Sequence, residues 1–137
     1  WDSMLDFIKD SSHNVTSSNS WGNYKNSDTY KVYRGSLSSD NGLTWSAADT
    51  TNGSDVTKDT SILLTTGANK RNSSKNIYDV AGNCSEWTTE AYYTSRRVLR
   101  GGRYYVSGSS IPASHRDYCD STSIGDHSFR PLLYVAL

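Results

Sequence analysis

Three histidines, two cysteines and a group of aspartates near the carboxyl end are the side chains best suited to chemistry. His13, His115 and His127 form no HExxH or HxH pattern, and no Ser/His/Asp ordering stands out, so they read as surface or pocket-wall residues. Cys84 and Cys119 have neither CxxC nor clustered-ligand spacing, which leaves one disulfide or none. Asp117, Asp120 and Asp126 offer carboxylate oxygens to a cation, although no EF-hand loop is present. Asn-x-Ser/Thr sequons at Asn14, Asn52, Asn72 and Asn83 matter only in a secretory host.

The elements that must position these groups are sparse. Trp1, Met4, Leu5 and Ile8 repeat at i, i+3, i+4, i+7, which predicts a short amphipathic helix ended by Ser11 and Ser12. From there to about Lys75 the chain is polar and turn-rich, with Ile62–Leu64 its only apolar run. We expect long loops and short strands there, laid over a core made elsewhere. Ser38–Trp45 fits S-x-D-x-G-x-T-W, the Asp-box pattern, which propellers repeat blade by blade. Here it occurs once, so it reads as a lone hairpin turn with Trp45 tucked beneath. Val98 and Leu99 predict a strand stopped by Gly101-Gly102, and Leu132–Leu137 a closing apolar strand after Pro131.

Length and composition set the bounds. The 137 residues suit one domain. Fourteen basic residues balance fourteen acidic ones, which argues against nucleic acid or an anionic membrane as the main partner. No apolar run spans a bilayer, so direct membrane insertion is not expected. Ten tyrosines and four tryptophans imply a folded, aromatic-rich core, while Ser, Thr and Asn supply about a third of the chain. The absence of an initiator Met suggests the carboxyl-terminal part of a longer protein.

Three ordered motifs carry a resemblance. Asn76-Ile77-Tyr78-Asp79-Val80-Ala81-Gly82-Asn83-Cys84-Ser85-Glu86-Trp87 is followed by Arg97-Val98-Leu99-Arg100-Gly101-Gly102 and then by Phe129-Arg130-Pro131-Leu132-Leu133-Tyr134. Together they resemble the sulfatase-modifying-factor family, the formylglycine-generating enzymes and their relatives. The resemblance implies an α+β, C-type lectin-like fold over 1–137: a small irregular mixed sheet, one or two helices and long loops. It also admits a structural calcium at Asn83 and Glu86, with no other cofactor required. The residues agree with a tight turn: Gly82 frees the backbone, Asn83 caps it, Trp87 anchors a core, and Gly101-Gly102 lets strands pass closely. In the catalytic members two redox-active cysteines follow the Arg-Gly-Gly. Val106 and Ile111 hold those places, and neither can form a thiolate, so the resemblance does not carry the enzyme with it.

A second branch of the same fold fits better: the variable proteins of diversity-generating retroelements, whose hypervariable surface lies between the Arg-Gly-Gly and Phe-Arg strands. Residues 103–128 contain no Lys, Glu, Gln, Met, Trp or Asn, as randomised Asn-type codons would leave them. Tyr104, Tyr105 and Tyr118 among small Ser and Gly residues are similar to an antibody paratope. Ser107-Gly108-Ser109 and Pro112-Ala113-Ser114 read as fixed scaffold. The expected variable contacts are Arg103, Tyr105, Val106, Ser110, Ile111, His115, Asp117, Tyr118, Cys119, Asp120, Ile124, Asp126 and His127, grouped on one open side. The implied function is non-catalytic binding of a protein or glycan on a host or neighbouring cell, from a phage tail tip or a bacterial surface. The alternatives are a divergent enzyme of the family and a calcium-dependent glycan-binding lectin; for the latter, Ile111-Pro112-Ala113 lacks a sugar-coordinating carboxylate or amide.

Overall fold

A computed structural model describes residues 1–120 and 125–131. Its elements in chain order are α1 (Asp2–Ile8), β1 (Tyr30–Val32), β2 (Ser36–Ser38), β3 (Ser46–Ala47), β4 (Ser54–Val56), β5 (Leu63–Leu64), a 3-10 turn (Lys70–Asn72), β6 (Ser73–Ser74), β7 (Ile77–Tyr78), β8 (Ser85–Tyr93), β9 (Arg96–Arg100), β10 (Asp117–Asp120) and β11 (His127–Phe129). The class is α+β, with a mixed main sheet, small antiparallel sheets and one α-helix among the described residues. The expected closing strand Leu132–Leu137 lies outside them. No described helix is long and apolar enough to cross a membrane.

The helix forms where its periodicity places it, burying Leu5 and Ile8. These join Trp21, Tyr24, Val80, Ala81 and Ala113 in one core, against which Trp1, Met4 and Val106 pack. Arg100, almost fully buried, reaches Asp2 with one guanidinium nitrogen and gives another to the Ser114 carbonyl at 2.6 Å. The helix, β9 and the loop after it are thereby tied at one point.

The region before Lys75 departs from expectation. It builds a second core of its own, from Val32, Ala48, Val56, Leu64 and Ala68. Each short strand or turn contributes only one or two side chains to it, and the pairs β1–β4, β2–β3 and β2–β5 are all antiparallel. The Asp-box segment is the turn joining β2 to β3. Asp40 accepts from the Thr44 backbone at 2.9 Å and from its hydroxyl at 2.5 Å, and Ser38 donates to the same carboxylate at 2.7 Å. These bonds pull the Asp40 carboxyl down to about 2. Trp45 donates its indole N–H to the Gly42 carbonyl at 3.0 Å but stays half-exposed.

The main sheet has the order β10-β9-β8-β11. β8, β9 and β10 run antiparallel in sequence, while β11 lies parallel to β8 with His127 opposite Ser85 and Phe129 opposite Trp87. Because side chains alternate across a strand, this register puts Ser85, Trp87, Leu99, Asp117, His127 and Phe129 on one face, and Glu86, Val98, Arg100 and Tyr118 on the other.

Candidate functional site

The site is assembled by the close turn after β9. Gly101 and Gly102 both have left-handed φ, 94° and 74°. A Cβ on Gly102 would lie 2.4 Å from the Ile111 carbonyl oxygen and 2.7 Å from the Tyr24 ring, so no other residue fits. The turn delivers Arg103 to the Ser85–Asp117 face of the sheet.

Arg103 is the hub. Its Nε donates to Ser85 Oγ at 3.1 Å, one terminal nitrogen to the Tyr105 hydroxyl at 2.9 Å and to Asp126 Oδ2 at 3.3 Å, and the other to Asp117 Oδ2 at 2.5 Å. Tyr105 in turn donates its hydroxyl to Asp126 Oδ2. Burial and the neighbouring carboxylate raise the Tyr105 phenol above its ordinary value, so it stays a donor at neutral pH. One guanidinium thus serves two carboxylates.

Beneath it lie Asp126 and His127, with side chains 5% and 3% exposed. His127 meets the Trp87 ring edge-on at 5.2 Å, and its Nε2 stands 3.7 Å from Asp126 Oδ1. Neither imidazole nitrogen, nor Asp126 Oδ1, has a hydrogen-bond partner. Burial pushes the His127 pKa down against the pull of Asp126, which keeps the ring neutral near pH 7.

The structure brings Arg103, Tyr105, Asp117, Asp126 and His127 together, with Cys119 on the same strand face as Asp117. The expectation of one open side nevertheless needs correction. Tyr118 points to the opposite face, where it stacks on Tyr92 at 4.3 Å and 13° beneath the Arg96 guanidinium. Asp126 and His127 support the surface from below. Tyr104, expected to be on the surface, is 2% exposed: its hydroxyl donates to Asn41 Oδ1 and its backbone N–H to the Asn83 carbonyl.

The remaining expected contacts spread along the loop. Val106 is half-buried against the first core and accepts from Lys25 N–H through its carbonyl. Ser110 is exposed; Ile111 and His115 are half-buried, with backbone N–H groups bound to the Ser107 and Pro112 carbonyls. Of the residues read as fixed scaffold, Gly108, Pro112 and Ala113 are buried, Ser107 and Ser114 are half-buried and Ser109 is exposed. Cys119 is half-buried opposite Arg97, and Asp120 lies opposite Arg96 in backbone register. Ile124 lies outside the described residues.

Sequence reasoning missed Tyr92 and Tyr93, which stand 40% and 63% exposed at the far end of β8. It also missed Asn41 and Leu43. With Tyr104, Tyr105, Gly125 and Asp126 they line a cleft of about 570 Å³ between the Asp-box turn and the loop after Gly102. The run Ala91-Tyr92-Tyr93 was a visible signal for the tyrosines. Nothing local linked the Asp-box turn to residues 103–128.

The two residues expected to hold a calcium are engaged within the protein. Asn83, with φ 61°, accepts from Leu64 N–H at 2.9 Å and Asn23 Nδ2 at 3.0 Å, and donates to the Leu64 carbonyl at 2.9 Å. Both Glu86 oxygens are held by Arg130, which also reaches the Tyr78 carbonyl at 2.9 Å. These groups are spent within the protein and do not fit the ion. Among the described residues no cluster of three or more His, Cys, Asp or Glu could hold a metal. Both cysteines are free thiols, and burial pushes Cys84 up to about 11, far from a thiolate at neutral pH.

No curated protein and no solved structure matches the chain. Residues 15–130 match the model of the sulfatase-modifying factor enzyme 1-like domain, a span that takes in the Asn83 turn, the Arg-Gly-Gly turn and β11. The chain belongs to that family.

Proposed function

We propose that this chain is a non-catalytic ligand-binding domain with a C-type lectin fold, the variable protein of a diversity-generating retroelement. It presents the Tyr/Ser-rich segment 103–128 from a phage tail tip or a bacterial surface to a protein or glycan of another cell. The observation that carries this reading is what fills the two places of the family's reactive thiols. Val106 packs against the core, and Ile111 is half-buried with its carbonyl lying close against Gly102. Neither can be oxidised or form a mixed disulfide.

The surroundings support it. Tyr105, Ser110 and Tyr118 sit on the outside of a frame whose packing comes from other residues. Tyrosine buries a large area for the loss of two torsions, which makes it an efficient anchor. A test joins arrays of glycans and displayed peptides to an assay for conversion of a sulfatase-type cysteine peptide to the aldehyde. We expect array ligands whose affinity falls at least tenfold in the double variant Tyr105→Ser/Tyr118→Ser, with Tm moving by less than about 5 °C. Aldehyde formation, or array ligands indifferent to both substitutions, overturns the reading.

A further inference from the structure

We infer that the cleft between the Asp-box turn and Tyr105 receives an aliphatic ammonium, the side chain of a lysine on a partner protein. The inference rests on the ligand-binding reading above and names the chemistry that one part of the surface selects.

The walls are apolar. Leu43 stands 84% exposed on one side, and the Tyr105 ring, 37% exposed, faces the cleft's other side with Tyr104 edge-on behind it at 5.1 Å. An exposed leucine beside tyrosine rings gains by covering a hydrocarbon stem. Tyrosine faces also attract cations.

The floor is acidic. Among the described residues Asp126 is the one charged residue lining the cleft; its side chain is 5% exposed, its Oδ2 accepts from Arg103 and Tyr105, and its Oδ1, 3.7 Å from His127 Nε2, has no hydrogen-bond partner. A buried carboxylate oxygen left without a donor is costly, and a ligand N–H group relieves that cost. The charge balance points the same way. Arg103 alone faces both Asp117 and Asp126, and the neutral His127 ring adds nothing, so the cluster carries surplus negative charge. Asp40, on the same turn as Leu43, is saturated by Ser38 and Thr44. An anionic ligand would meet repulsion. A hydroxylic one would supply donors yet leave the charge unbalanced.

The cleft is also held open in advance. The Tyr104 hydroxyl ties the loop to Asn41, and the Tyr104 N–H ties it to the Asn83 carbonyl. Little ordering is left for binding to impose.

The probes are Nα-acetyl-lysine N-methylamide, its norleucine counterpart and methyl glucoside, titrated while the Leu43, Tyr105 and Gly125 amide resonances are followed. The lysine amide should shift all three and bind about tenfold or more tightly than the norleucine amide. Leu43→Ser, an exposed change that leaves the fold alone, should weaken it about fivefold. Asp126→Asn should abolish the preference over norleucine; if that variant fails to fold, Leu43→Ser decides. Equal binding of norleucine, or no effect of Leu43→Ser, overturns the inference. Shifts from the glucoside at the same amides also overturn it and leave the ligand-binding reading standing. That reading fails separately, on the array result for Tyr105→Ser/Tyr118→Ser.

Discussion

Two polar clusters adjoin Tyr104, one through the bond of its N–H to the Asn83 carbonyl and the other through its chain neighbours Arg103 and Tyr105, and they are built on opposite principles. Around Asn83 the groups are neutral and buried: Asn23, Asn83 and the Leu64 backbone exchange hydrogen bonds until each side-chain oxygen and nitrogen of Asn83 is used. Around Arg103 the groups are charged and unevenly matched, with two carboxylates to one guanidinium and an imidazole left idle, and they run from the one-third exposed Asp117 down to the buried Asp126 and His127. The first arrangement specifies a fold and tolerates no exchange. The second is adjustable at its Asp117 rim, a third exposed, because a charge near water loses little when its partner changes.

The largest expected effect breaks the first cluster. Asn83→Ala removes several buried hydrogen bonds and places a Cβ-bearing residue without a side-chain amide at φ 61°. Urea unfolding should show a loss of about 3–4 kcal/mol. Arg130→Met comes next. It strands Glu86, whose side chain is 6% exposed, and should cost about 3 kcal/mol by the same measurement.

Asp79 sharpens the contrast, being the ionisable acid beside the neutral cluster. Burial raises its carboxyl to about 6, despite the hydrogen bond it accepts from Gly67 N–H. The folded protein therefore holds this proton more tightly than the unfolded chain. The stability it contributes is full below about pH 4 and is lost as pH rises through about 6. Asp79→Asn should gain about 2 kcal/mol relative to wild type at pH 8 and little at pH 4, read from urea midpoints at both. His127 carries the opposite sign. Its folded pKa is lowered, so stability is lost as pH falls below the unfolded value of about 6.5. His127→Gln should flatten that loss, with thermal melts between pH 7 and pH 5 as the check.

The parts legible in the sequence were those whose cause is local. Helix α1 follows from the spacing of Trp1, Met4, Leu5 and Ile8, and the tight turn from Gly82-Asn83, both of which adopt left-handed φ. The Arg-Gly-Gly turn is likewise written in adjacent residues. The second core was hidden because Val32, Ala48, Val56, Leu64 and Ala68 are single apolar residues in separate short strands and turns, and no window holds enough of them to show a period. His127 was misplaced for a related reason: its burial comes from the parallel pairing of β11 with β8, a contact between distant segments. Tyr104 and Tyr105 are chemically identical neighbours with opposite exposures, decided by a hydrogen bond to Asn41 from another region. Residue type pointed to the Arg103 cluster; only the register divided Asp117 from Tyr118.

The geometry at Gly102 sets a hard border for any process that rewrites the neighbouring codons. A side chain there would strike the Ile111 carbonyl and the Tyr24 ring, so a library of variants reaching back one position would consist largely of misfolded members. Any such rewriting has to leave Gly102 itself untouched.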